Sequence, residues 1–329
     1  MNSVATSKVL LGSLVLALVV LSGQAWSQAT ALWPSKTVRI IVPFAPGGGS
    51  DVSARVLSEL FSTQFGQSFI VENKPGAGSA IGVNAAAQSK DGHTLLMGSN
   101  SMVINPSFNP SIGYNVATDF DVVGMVSAQP LVLVIPANSE IKSVADLINR
   151  FKGKLASLNA GNSGRGTLAH IAAELFEAET GVAMTPIPYK GESALIPDLL
   201  SARVDLGFLN LPSVAPHIKA GRLRALAVSA PQALGDFPGV PSFRSLQLES
   251  LEVQGWAALL APKGSISEDG LARLSSALQS ALASEAVKAK FLSLNVSPVL
   301  QSRTVSAQFI QREGERYAKI IKARNIKPD

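Results

Sequence analysis

Cysteine is absent from the 329 residues, which removes disulfides, a thiolate nucleophile, a Cys-ligated metal and a lipidated N-terminal cysteine together. Histidine is nearly absent. His93, His170 and His217 stand far apart with no His-x-x-x-His pair, so neither a metal centre nor any other cofactor is expected. Charged residues make up only 16% against 47% hydrophobic, which excludes a mainly disordered or acidic solvating chain. Lys and Arg total 28 against 23 for Asp and Glu, a net +5, yet no block of five or six like charges occurs. That argues against a nucleic-acid partner, while a mild positive field still draws small anions to a cleft. Aromatics are scarce at 6% and mark no stacking cage, with Phe44, Tyr189 and Trp256 the candidates to line a cleft. Past residue 30 no apolar run approaches the roughly 18 residues of a membrane span.

What is present begins with a secretory signal. Lys8 precedes an apolar run over 9–21 and the small-residue stretch 22–29, with small-x-small cleavage sites at Ala25/Ser27 or Ser27/Ala29. An apolar core of about 13 residues is too short to span a bilayer, so 1–29 is expected to be cleaved. Losing Lys8 leaves a mature charge of +4.

The mature chain has the length of about two domains. β-branched runs alternate with Ala- and Leu-rich helical runs, the pattern of mostly parallel sheets with flanking helices. Strands are expected at 38–43, 69–71, 94–97, 131–135, 155–158, 184–188, 204–209, 223–228 and 253–260. Helices are expected at 52–65, 79–88, 144–150, 168–178, 193–200, 215–220, 266–283, 286–292 and 305–321. The division is lobe 1 over 30–130, lobe 2 over 131–253, and a return to lobe 1 over 254–329. The strands at 131–135 and 253–260 cross between lobes, a two-strand hinge that allows closure over a ligand.

Chemistry belongs where strand C-terminal ends meet helix N-termini. Two glycine-rich loops lie there. In Pro46-Gly47-Gly48-Gly49-Ser50-Asp51 the glycines either bring backbone N–H groups to an anion or simply make a tight turn. Asp51 reads as a cap or first-turn residue facing its own backbone donors. In Ser163-Gly164-Arg165-Gly166-Thr167 the hydroxyls and a second helix N-terminus repeat the arrangement. Arg165 either adds a bidentate contact or is solvated at the rim. His170, one turn further on, either orients the loop or is a satisfied helix histidine. Tyr189 either hydrogen-bonds the ligand or anchors its loop.

Enzymatic readings fare worse. The stretch 161–167 nearly matches a P-loop, but no Lys follows Gly166. It nearly matches a hydrolase nucleophile elbow around Ser163, but Arg165 stands where the second glycine belongs. A secreted serine hydrolase is therefore the weaker alternative.

The strings WPSKTVRIIVPFAPGGGSDVSAR, VENKPGAGSAIG, DGHTLLMG, INPSF, SGRGTLAHIAAELF, IPYKG and APHIKAGRLRALAVS, in this order and behind a signal peptide, resemble the Bug-type, TctC-like receptors of tripartite tricarboxylate transporters over the whole mature chain. The resemblance implies an α/β two-lobe periplasmic binding protein of type II, a Venus flytrap with no catalysis. Its expected partners are a small organic acid and the membrane permease subunits to which the acid is delivered, the receptor being a monomer. Some such receptors feed two-component sensors instead. The resemblance places the ligand carboxylate on Pro46, Gly47, Gly48, Gly49 and Ser50 and on Ser163, Gly164, Arg165, Gly166 and Thr167, the latter loop one residue shorter than the family pattern. It adds Ser99, Asn100 and Asn210 to the cleft. Leu209 replaces a polar family residue, and either faces the ligand, favouring a more apolar acid, or packs inside.

Overall fold

The computed structural model describes residues 32–326 except 155–157 and 233, so the signal expected at 1–29 lies outside the described residues. Residues 32–35 belong to a short N-terminal unit containing a cis Trp33–Pro34 bond. A second, much larger unit starts at Lys36 and holds all the strands and helices among the described residues.

The first half of this larger unit is a sheet of β1 (Val38–Val42), β2 (Phe69–Asn73), β3 (Thr94–Ser99), the long β4 (Phe120–Pro136), β9 (Gln254–Pro262) and the short β10 (Ser297–Pro298). The order is β2-β1-β3-β9-β4, with β10 on β4. β1 pairs parallel with both neighbours, and β9 runs antiparallel between β3 and β4. The second half contains β5 (Leu158–Asn162), β6 (Met184–Pro188), β7 (Leu206–Asn210) and β8 (Leu223–Val228). β5 lies parallel between β6 and β7, and β7 and β8 pair antiparallel with the far end of β4.

β4 is thus one strand in two sheets. It pairs with β9 as far as Pro130↔Gln254 and with β7 from Leu131↔Asn210. At the switch the Leu131 N–H donates to Ser229 Oγ at 2.8 Å, and Ser229 N–H returns to the Leu131 carbonyl. Register shifts at 122–124, 125–127 and 133–134 bend and twist the strand between the halves.

Helices follow nearly every strand: α1 (Gly49–Phe65), α2 (Ala80–Ala87), α3 (Asn100–Phe108), α4 (Val116–Asp119), α5 (Val144–Phe151), α6 (Leu168–Thr180), α7 (Glu192–Leu200), α8 (Leu211–Lys219), α9 (Glu268–Ala283), α10 (Glu285–Ser293) and α11 (Arg303–Arg324). Gly66 and Gly181 end α1 and α6 in the left-handed conformation, which glycine adopts without a Cβ penalty. The C-terminal tail packs on the first half. Trp256 Nε1 donates to Glu313 of α11, Asn100 Nδ2 to the buried Tyr317 hydroxyl, and Met125 N–H to Ser306 Oγ.

Three expectations change. The strand expected at 131–135 is the second part of β4, and α3 was not expected at all. Of the strand expected at 155–158, residues 155–157 lie outside the described residues, and Leu158 belongs to β5, which runs on to Asn162 through Gly161. A Cβ on Gly161 would meet Leu195 Cδ1 at 2.2 Å, so that glycine serves strand-to-helix packing and not a turn.

Candidate functional site

The parallel strands all end on one side, and each end leads into the start of a helix. β1 leads to α1, β3 to α3, β5 to α6, β6 to α7 and β7 to α8. Residues from all five N-termini line one cavity of about 50 Å³, room for roughly four waters. The sequence indicated two of these five. A helix N-terminus presents unpaired N–H donors and about half a positive charge, and no side-chain cap closes α1, α3, α7 or α8. Anion affinity is therefore built into the backbone, and no Lys, Arg or His lines the cavity among the described residues.

Of the residues selected from sequence, Gly48, Gly49, Ser50, Asp51, Ser99, Asn100, Ser163, Thr167 and Asn210 line the cavity. Several have their side chains committed elsewhere. Asn100 donates to the Gln254 carbonyl and accepts Trp256 N–H, pinning the start of β9. Thr167 Oγ1 donates to the Gly164 carbonyl at 2.6 Å and caps His170 N–H, so its proton is spent inside the loop. Asp51 accepts Gly47 N–H, Asn73 Nδ2 and a bidentate Arg55. Burial opposes its ionisation, but these bonds hold its carboxyl below the usual range.

The rest of the selection sits at the rim. Pro46 and Gly47 are exposed, as is Arg165. Gly164, Arg165, Gly166 and Tyr189 border a separate depression beside Gly78 and Asn105. The Tyr189 hydroxyl donates to Asp198 at 2.7 Å, anchoring its loop on α7. Partial burial and the Asp198 carboxylate push that hydroxyl up to about 12. His170 is buried and accepts Gly166 N–H on Nδ1 at 3.3 Å, which orients the loop. Leu209 is fully buried in the core of the second half, so its replacement of a polar residue does not reach the cavity.

Glycines also bring the halves together. A Cβ on Gly78 would lie 1.9 Å from the Arg165 carbonyl oxygen, one on Gly166 would lie 1.8 Å from Asn105 Oδ1, and one on Gly191 would lie 3.3 Å from Ala45 N. Four successive residues from Gly76 to Ser79 have positive φ, including the non-glycines Ala77 and Ser79, a conformation that costs energy and is held by its surroundings.

Gln129 and Glu192 are among the lining residues that escaped the sequence reading. Gln129 on β4 is 3% exposed, and its Oε1 has no hydrogen-bond partner among the described residues. Glu192, the first residue of α7, is 7% exposed. It accepts Asn210 N–H and Nδ2, each at 2.8 Å, and the Ser213 hydroxyl. Burial pushes its carboxyl up, against the opposing pull of those three bonds. The available signals were a glutamine inside an apolar strand and an acid opening a helix after Tyr-Lys-Gly.

A family model described as "Tripartite tricarboxylate transporter family receptor" matches residues 53–326. Protein BugT of Bordetella pertussis is 36% identical over 90% of this chain and 91% of its own. The structure of R. palustris Rpa4515 with adipate is 30% identical, with a TM-score of 0.85 over 90% of this chain and 99% of its own. That of MatC from Rhodopseudomonas palustris with bound malate is 26% identical, with a TM-score of 0.82 over 88% of this chain and 100% of its own.

Proposed function

The chain belongs to the tripartite tricarboxylate transporter receptor family, and from that membership we propose that it is a periplasmic receptor that binds a small organic acid between its halves and delivers it to membrane permease subunits. The family and fold are those of solute-binding proteins. The observation that carries the reading is the convergence of five helix N-termini on one cavity that no cationic side chain lines among the described residues, an arrangement that favours a carboxylate through backbone donors. Relatives of the same fold hold adipate and malate, which supports the ligand class. The carboxylate rests on the N–H groups of Gly48, Gly49 and Ser50, with Ser163 and Ser99 opposite. The lobes are 30–130 with 254–329, and 131–253, a division supported by the change of β4's partners at Pro130/Leu131. Capture proceeds without catalysis, a reading supported by the solute-binding family and by the lack, among the described residues, of a histidine lining the cavity to act as base.

Thermal unfolding of refolded mature protein against carboxylates, amino acids, sugars and phosphates tests the reading. Ligand at 100 times its dissociation constant adds about 2.7 kcal/mol, a clear upward shift. Gly48→Leu fills the space toward Glu192, whose Oε2 lies 4.0 Å from the Cβ position, and abolishes that shift without unfolding the chain. Silence from every acid in the panel overturns the receptor reading, and an unchanged shift in Gly48→Leu overturns the loop assignment.

A further inference from the structure

A cavity built only to hold carboxylates has no use for a buried acid, yet Glu192 stands in this one. Its oxygens accept three bonds from Asn210 and Ser213, all from uncharged donors, and no cation faces it among the described residues. An ionised carboxylate taken from water into such surroundings is costly unless a positive charge meets it.

Two further acceptors lie beside it without donors among the described residues. The Asn210 amide is oriented by its Nδ2 bond to Glu192 Oε1, since the reverse orientation would set oxygen against carboxylate. Its Oδ1 therefore faces away from Glu192 and has no partner. The nearby Gln129 Oε1 has none either. A Cβ on Gly255 would meet Asn210 Oδ1 at 2.5 Å, and one on Gly49 would lie 3.5 Å from Gln129 Oε1, and all four residues line the same cavity as Glu192. Glu192 Oε2 in turn lies 4.0 Å from the Cβ position of Gly48, in the loop that opens α1. Donors for an anion and acceptors for a cation thus share one small space. A buried acceptor left unpaired is costly, and a tetrahedral ammonium group offers three donors at once.

We propose that this cavity selects an organic acid carrying an amino group, with the carboxylate on the Gly48–Ser50 backbone and the ammonium on Glu192, Asn210 Oδ1 and Gln129 Oε1. The proposal rests on the reading of the cavity as an organic-acid site and narrows it to compact amino acids.

The experiment compares matched series on the wild-type protein by titration calorimetry: L-alanine, L-lactate and propionate, and L-aspartate, L-malate and succinate. The amino acid of at least one series binds ten- to a hundredfold more tightly than its hydroxy and unsubstituted counterparts. Glu192→Gln reduces the ratio of amino-acid to hydroxy-acid affinity at least tenfold. Tighter binding of the hydroxy or unsubstituted acid in both series overturns the proposal while preserving the acid-receptor reading. No binding by any of the six overturns both. A ratio unchanged in a folded Glu192→Gln overturns the role of Glu192, and the wild-type comparison decides the ligand class whether or not that variant folds.

Discussion

Replacing Gly78 by alanine separates closure from folding. The residue has φ 58 and ψ 33, a left-handed conformation that costs alanine about 1–2 kcal/mol. That cost is intrinsic to the turn and is present whether the halves are apart or together, so it lowers the melting temperature without touching affinity. The new Cβ also lies 1.9 Å from the Arg165 carbonyl oxygen across the rim, where ordinary contact begins at 3.4 Å. Because the obstacle is backbone, no rotamer change relieves it, and the rim must part by about 1.5 Å. Overpacking of this kind costs about 1–3 kcal/mol, charged only to the closed state, and the apparent dissociation constant rises about five- to 150-fold. Gly66→Ala supplies the control: φ is 66, but nothing lies within 4 Å of the Cβ position. Calorimetric titration with the strongest ligand of the thermal panel, together with the melting temperature of each variant, reads the two effects. The reasoning fails if Gly78→Ala binds within twofold of wild type, or if Gly66→Ala weakens binding equally.

Two side-chain clusters give further outcomes. Thr167→Ala removes the α6 cap and the bond to the Gly164 carbonyl, and costs about 1 kcal/mol in urea unfolding, whereas Thr167→Ser retains both; equal loss in the two variants refutes the capping role. Asp91 accepts His93 N–H, Thr94 Oγ1 and Arg39. Burial opposes its ionisation, but these bonds hold it down to about 2. Its stabilisation is present above the ordinary carboxylate value near 4 and fades as pH falls from there through about 2. With the side chain 32% exposed, the effect is on the order of 1 kcal/mol. Melting curves from pH 5 to 2.5 should fall less steeply for Asp91→Asn, and parallel curves would refute the assignment.

Most strands and helices were legible because a parallel sheet writes its elements as separate apolar runs. Helix α3 was not, since Pro106 and a string of polar residues break its periodicity. Nor was the first part of β4, where Asp121, Gly124, Ser127 and Gln129 interrupt the apolar residues. Both glycine loops were found from residue types alone, and α1 and α6 do start there. What sequence distance hid was the meeting of Gln129, Glu192 and Asn210, three positions brought together only by the turn of β4 from one sheet into the next. Gln129 and Glu192 each read by themselves as exposed polar residues, and Asn210 entered the cleft only through the resemblance. The burial of Gln129 and Glu192 is a property of the fold and not of any local pattern. The rim was hidden for the same reason, because whether Gly164 and Gly166 face a ligand or the opposite half depends on where Gly78 lies.

β4 has one more consequence, for cooperativity. Its seventeen residues form a ladder with β9 and β10 on one side of the Pro130/Leu131 switch and with β7 and β8 on the other. A break in that ladder anywhere withdraws backbone partners from both halves, so heat should melt the halves in one transition. Nor are the halves interchangeable cassettes: a graft that exchanged one of them between relatives would cut a continuous strand in its hydrogen-bonded middle, and the recipient would have to rebuild its central strand before it could build its site.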